Sequence, residues 1–120
     1  MRLRNLDVAT LRAAWWTWSA ARSAARQLGR RKGIDEVRLP EVPALPDSAG
    51  RGVAAVFRRR RHSCIVEALV WQTWHQAHGS PRDLIVGVTA PGDEFQAHAW
   101  LDGDPAPELR FHELLRRPAR

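Results

Sequence analysis

Arg59-Arg60-Arg61-His62-Ser63-Cys64-Ile65-Val66-Glu67-Ala68-Leu69 decides how the rest of this 120-residue chain is read. The stretch holds the single cysteine. A helix is predicted to start just after Ser63 and to run to about Ala77, which puts the thiol in its first turn, beside a basic run. Ile65, Ala68, Leu69 and Gln72 make one stripe along that helix, and Val66, Val70 and Trp74 make another. A helix with apolar residues on both sides is buried over most of its surface. Gly79 fits its C-terminal stop.

Downstream the period changes from helix to strand. Leu84-Ile85-Val86-Gly87-Val88-Thr89 is a short β-rich run closed by Pro91-Gly92. Phe95, Ala97, Ala99 and Leu101 then alternate with Gln96, His98 and Trp100, the spacing of a strand. Asp102-Gly103-Asp104-Pro105 is a turn signal, and Leu109-Arg110-Phe111 is expected to return as the next strand. The basic tail from Leu114 to Arg120 is expected to be peripheral. Upstream, residues 6–29 read as a helix that carries Val8, Leu11, Trp15, Trp18 and Leu28 at helical spacing and stops at Gly29. Residues 30–50, with Pro40, Pro43, Pro46 and Gly50, read as an extended connector, and Val53 to Arg61 as a basic, partly apolar helix. Helices followed by a small antiparallel sheet make an α+β domain. Residues 1–50 form its Trp-rich helix and Pro-rich connector, and residues 51–120 its core.

Composition narrows the classes. A chain of 120 residues supports one core, and 44% hydrophobic residues with six Trp describe a folded protein. No apolar run approaches the roughly 20 residues that cross a bilayer, and the Met1-Arg2-Leu3-Arg4 start lacks the apolar region of a signal peptide. One cysteine allows neither an internal disulfide nor a cysteine-based zinc cluster, so a reducing, cytoplasmic setting is expected. The net charge is +6, and Lys32 is the only lysine. Arginine forks bind carboxylates and phosphates alike, so charge does not choose between an acidic peptide and nucleic acid. Arg58 to Arg61 would give phosphate contacts without base readout. Trp15 and Trp18 share a helix face, for which core packing is the usual role rather than base stacking.

The chemistry centres on Cys64. A thiolate attacks carbonyls, and a cysteine at a helix N-terminus meets the positive end of the macrodipole and free backbone N–H groups. The same N–H groups can act as an oxyanion hole. An imidazole nearby completes the nucleophile and later protonates the leaving amine. His98 lies thirty-four residues on, on the strand face opposite Phe95, Ala97, Ala99 and Leu101, where it is expected to point toward the helix end. The bland alternative makes Cys64 a small buried hydrophobe. His62, His75, His78 and His112 read as surface or core residues. His75 and His78 stand one helical turn apart, as metal ligands do, but have no acidic or thiol partner near in sequence, so no metal or other cofactor is expected. An acidic group usually orients the imidazole. Asp102, Asp104, Glu108 and Glu113 are available. Asp102 shares the His98 face but lies about 13 Å away on an extended strand. If Gly103-Asp104 turns a hairpin, Ala99 pairs with Glu108, one residue from the position opposite His98, and Glu108 is the choice.

Taken together, Cys64-Ile65-Val66-Glu67-Ala68-Leu69, Ile85-Val86-Gly87-Val88 and Phe95-Gln96-Ala97-His98-Ala99-Trp100-Leu101 resemble the transglutaminase-like leader peptidases of lasso-peptide biosynthesis. The likeness covers about residues 50–118, and Ala97-His98-Ala99-Trp100 is its most specific part. It implies a papain-like core and a cysteine protease that removes the leader from a ribosomally made precursor peptide. It also implies a small leader-recognition protein as partner, and a separate ATP-dependent macrolactam synthetase that closes the freed amine onto an acidic side chain. The nucleophile carries over to Cys64 and the base to His98. The family's acidic third member falls where this chain has Arg110, and a shorter hairpin would bring Glu108 into that slot. The same resemblance makes the arginines and the exposed Trp residues a surface for the leader or the recognition protein. Amide exchange, as in transglutaminases, would need an acceptor-amine site that the sequence does not display. The rival classes are a non-catalytic accessory protein that binds a precursor and, behind it, a basic nucleic-acid-binding protein.

Overall fold

A computed structural model describes residues 7–89, 96–105 and 111–119. The chain divides into two units, Met1–His62 and Ser63–Arg120. Together they carry helices first and a small antiparallel sheet last, the α+β arrangement expected.

The first unit holds α1 (Val8–Gly29) and α2 (Gly50–Arg59), with short 3₁₀ turns at Ile34–Glu36 and Asp47–Ala49. Asp7 caps α1: its backbone is extended and its carboxylate accepts the Thr10 N–H at 2.7 Å. At the other end, the N–H groups of Arg31 and Lys32 return to the carbonyls of Leu28 and Gln27. Gly29 is the last helical residue, and Arg31 takes the left-handed position at φ 63°.

The stripe that α1 buries is not the one its large residues suggest. Val8, Leu11 and Trp15 are exposed, Trp15 at 72%, whereas Ala13, Trp16, Thr17, Ala20, Ala21 and Ala24 are buried. The reason is a close helix pair. α2 packs on α1, and a Cβ on Gly52 would run into the Thr10 carbonyl oxygen and sit 2.9 Å from Ala14 N. Only small side chains leave room for that approach, so the seam is built from alanines and a glycine, and the bulkier residues turn outward. The connector is also more tightly held than an extended linker. The Gln27 amide donates to Arg38 O at 2.8 Å and accepts from Arg38 N–H at 3.0 Å. The Trp16 indole donates to Pro40 O at 3.0 Å, and Val37 is buried.

The second unit begins with α3 (Cys64–Ala77), then β1 (Leu84–Thr89), β2 (Ala97–Leu101) and β3 (Phe111–Arg117). Both predicted stripes of α3 are largely buried, through Val66, Ala68, Leu69, Val70, Gln72 and Trp74. Gly79, at φ 78°, turns the chain out of α3, while Gly79 N–H and Ser80 N–H bond back to Gln76 O and His75 O.

The sheet order is β2-β1-β3, with β1 antiparallel to both neighbours. This corrects the expected hairpin between the second and third strands: Ala99 pairs with Val86, and β3 pairs along the far edge of β1. The sequence contains the cause. β1 is a continuous apolar run whose residues Leu84 to Gly87 are all buried, and a strand buried on both faces takes the centre of a sheet. The strands with more polar residues take its edges. The turn after β2 is tied down at its own end of the sheet, because Asp102 N–H bonds Asp83 O and Arg82 binds both Asp102 O and Asp104. The tail is corrected too. Residues 114–117 belong to β3, and Arg117 is buried. A bulge lies in this edge: Val86 pairs with Leu115 and Gly87 with Glu113, leaving Leu114 without a pair.

α3 packs on β2 and β1. Its buried Gln72 donates from one amide nitrogen to Arg82 O at 2.9 Å and to Arg117 O at 3.0 Å. Among the described residues no helix is long and apolar enough to cross a membrane. Replacing Gln72 with leucine keeps the volume but strands two carbonyls. Gln72→Leu is expected to lower stability by about 2 kcal/mol or more, read as an earlier midpoint in chemical denaturation with an unchanged slope.

Candidate active site

Cys64 is the first residue of α3. The helix starts there because Ser63 holds an extended backbone and its Oγ accepts the Val66 N–H at 3.2 Å, while Ser63 O accepts Glu67 N–H at 3.0 Å. That leaves the N–H groups of Cys64 and Ile65 without a hydrogen-bond partner among the described residues, as the opening of a helix requires. The thiol is free and half-buried. A nucleophile at this place has two donors and the positive helix end beside it, the elements that stabilise a thiolate or an oxyanion.

His98 lies on β2 in the same unit, opposite Gly87 of β1. It is half-buried, as is Trp100, whereas Ala99 and Leu101 are buried on the alternate face with Leu84 and Val86. The imidazole packs against two rings: Trp100 with centroids 5.8 Å apart and planes 18° apart, and Phe111 at 5.6 Å. The structure thus puts Cys64 and His98 on two elements that pack together, α3 and β2. Among the described residues no hydrogen bond joins the two side chains.

The acidic candidates among the described residues are engaged by arginines. Glu108 lies outside the described residues, and Ala99 pairs with Val86 of β1. Asp104 is held by Arg82 and also accepts the Leu101 N–H. Glu113 is bound by Arg116 at 2.8 Å, and Asp102 lies 3.5 Å from the same guanidinium. Arg116 further reaches Asp83 at 3.1 Å. The bulge at Leu114 explains the Glu113–Arg116 pair. In an unbroken strand, residues three apart point to opposite faces, and the extra residue returns them to one face. The Ala119 N–H and Arg116 hold the Asp83 carboxyl below the usual range, and Arg116 does the same for Glu113. None of these acids bonds His98.

The remaining candidates have local roles. His75 stacks on Trp71, and His78 packs over Trp74 and bonds its carbonyl. Among the described residues no group of three or more His, Cys, Asp or Glu could hold a metal. His62 meets Phe57 edge-on, and Arg60 lies over the Trp18 ring at 5.1 Å. Within the first unit, Val8, Leu11, Trp15, Pro40 and Pro43 line a groove of about 500 Å³ bordered by Arg12 and Glu41. Sequence reasoning missed the contact of Trp100 and Phe111 with His98. The signal available was Gly87, an isolated glycine in an apolar strand run.

Two outcomes follow from this geometry. Ser63→Ala removes the cap of α3 and is expected to cost about 1 kcal/mol, measured by denaturation. Asp83 and Glu113 have lowered values in the fold, so their contribution is complete above the unfolded carboxylate range of about 4 and fades as pH falls through the lower folded values. Asp83→Asn should therefore flatten the acid limb of a stability–pH curve while leaving its neutral slope unchanged.

A family model described as the transglutaminase-like superfamily matches residues 7–115. No match was found among curated proteins or among solved structures. The match runs through both units and includes the helix that begins at Cys64 and the strand that carries His98. The chain belongs to the transglutaminase-like superfamily, which includes cysteine peptidases and acyltransferases.

Proposed function

We propose that the chain is a cysteine peptidase that removes the leader from a ribosomally made lasso-peptide precursor. The observation that carries the chemistry is the half-buried Cys64 thiol at the first position of α3, beside two N–H groups that have no hydrogen-bond partner among the described residues, in a chain of this superfamily. The likeness of the Cys64 helix and the Ala97-His98-Ala99-Trp100 strand to leader peptidases supports the choice of substrate.

In the proposed reaction His98 takes the Cys64 proton and the sulfur adds to the scissile carbonyl. The N–H groups of Cys64 and Ile65 receive the oxyanion. Collapse breaks the C–N bond, the freed core amine takes the proton from His98, and the leader remains as a thioester on Cys64. Water then adds to the thioester with His98 as base, the C–S bond breaks, and the leader leaves as a carboxylic acid. Glu108 is proposed as the acid behind His98 on its sequence position alone. Apo enzymes often lack the short nucleophile–base hydrogen bond that forms with substrate.

A small leader-recognition protein is the proposed partner, with a macrolactam synthetase acting on the released core. The groove along Val8, Leu11 and Trp15 is the surface assigned to the recognition protein, since an exposed apolar patch with a polar rim is the usual form of such an interface. The proposed setting is cytoplasmic, where a lone thiol stays reduced.

Mass spectrometry of the precursor incubated with the recognition protein and this chain tests the reading. The wild type should cut one bond with addition of water, and Cys64→Ala should be slower by about a thousandfold or more. A product carrying an amine in place of water would assign acyl transfer. Intact precursor with folded wild-type protein would overturn the peptidase assignment.

A further inference from the structure

Gly87 sits in the middle of β1, where a glycine weakens a strand unless another group needs the space. Here one does. A Cβ on Gly87 would lie 2.8 Å from Trp100 Cη2, 3.0 Å from Trp100 Cζ3 and 3.0 Å from Phe111 Cβ. Gly87 pairs with His98 on one side and Glu113 on the other, so the hollow it leaves opens beside His98 on the same sheet face. The Trp100 indole reaches across from β2 into that hollow, and Phe111 of β3 closes it from the far side. The three ring centroids form a nearly equilateral triangle, with sides of 5.8, 5.6 and 6.0 Å.

Among the described residues the ring contacts of His98 are to Trp100 and Phe111. Asp102, Asp104 and Glu113 are all engaged by arginines. We infer, resting on the reading of His98 as the base, that Trp100 and Phe111 are positioning residues that hold its imidazole, and that Gly87 is what lets Trp100 reach it. The physics is direct. The second side-chain torsion of histidine is a broad, roughly two-fold rotor, and a parallel indole on one side with a phenyl ring on another restricts it. When His98 takes the thiol proton, the resulting imidazolium faces the electron-rich surface of the indole. The seat acts on the charged state formed during the reaction, so its loss should fall on turnover more than on substrate binding.

The test combines histidine-labelled NMR of the full chain with kinetics on the precursor. His98 is assigned by the resonance that disappears in His98→Gln. In the wild type, ring currents should move its imidazole C–H signals upfield of an exposed histidine. Phe111→Leu should return them toward the exposed position, leave those of His62, His75 and His78 in place as a check of folding, and lower kcat about tenfold with KM changed less than about twofold. Phe111→Tyr, which keeps the ring, should restore both signals and turnover. Gly87→Ala, which pushes the indole away, should act like Phe111→Leu. A wild-type His98 signal at the exposed position would overturn the seat without any variant. So would a Phe111→Leu protein that cleaves at the wild-type rate. If the upfield signal is present but the wild type cleaves nothing, the ring contact stands, and it is the assignment of His98 as base, with the positioning role built on it, that fails.

Discussion

The second unit depends on one buried amide. Gln72 donates to the carbonyls of Arg82, just before β1, and Arg117, the last residue of β3. Leu84 pairs with Arg117, so both carbonyls lie at the same end of the sheet. A helix held only by apolar packing can slide or roll, because dispersion and burial have little direction. Two hydrogen bonds from one nitrogen fix both the rotation of α3 and its position along its axis. Cys64 lies eight residues before Gln72 on the same helix, about 12 Å along the axis. The position of the thiol relative to the sheet is therefore set from the far end of α3.

The same end of the sheet gathers the unit's charge. Arg116 is held among Asp83, Asp102 and Glu113, and Arg82 binds the turn after β2. Further along the strands stand Gly87 and His98, with Phe111 beside Thr89 at the opposite end. Asp102, Asp104 and Glu113, three acids that a sequence reader would consider for His98, are thus already committed to arginines. Across the whole chain the charges are divided as well, with most arginines before Ser63 and most carboxylates after it.

Much of this was legible in the sequence, for identifiable reasons. The bounds of α3 and β1 follow from a Ser cap, a glycine stop and a β-branched run, all of them local signals. The placement of Cys64 at a helix start and of His98 on a strand follows from the same signals. Sheet order was not legible as a hairpin, because a turn sequence reports only that the chain reverses and not which edge it joins next. The exposed Trp15 was hidden by a rule that weighs size: the α1–α2 seam selects for smallness, which a hydrophobic period does not register. Glu108, chosen from an assumed hairpin register, lies outside the described residues. The aromatic seat of His98 depends on a diagonal contact across β1, which one-dimensional spacing does not encode.

The unpaired Leu114 has a bearing on the outer edge of the sheet. β3 is an edge strand, and an unbroken edge offers its free N–H and C=O groups as a template for a strand from another molecule. An extra residue twists and interrupts that template, and the charged Glu113 and Arg116 beside it discourage a neighbour from docking there. Deleting Leu114 would smooth the edge without moving the register. Glu113 and Arg116 would then stand two residues apart, the spacing that keeps side chains on one face of a regular strand, and every pair with β1 would be kept. The irregularity thus changes the shape of the edge and not the faces on which its side chains stand.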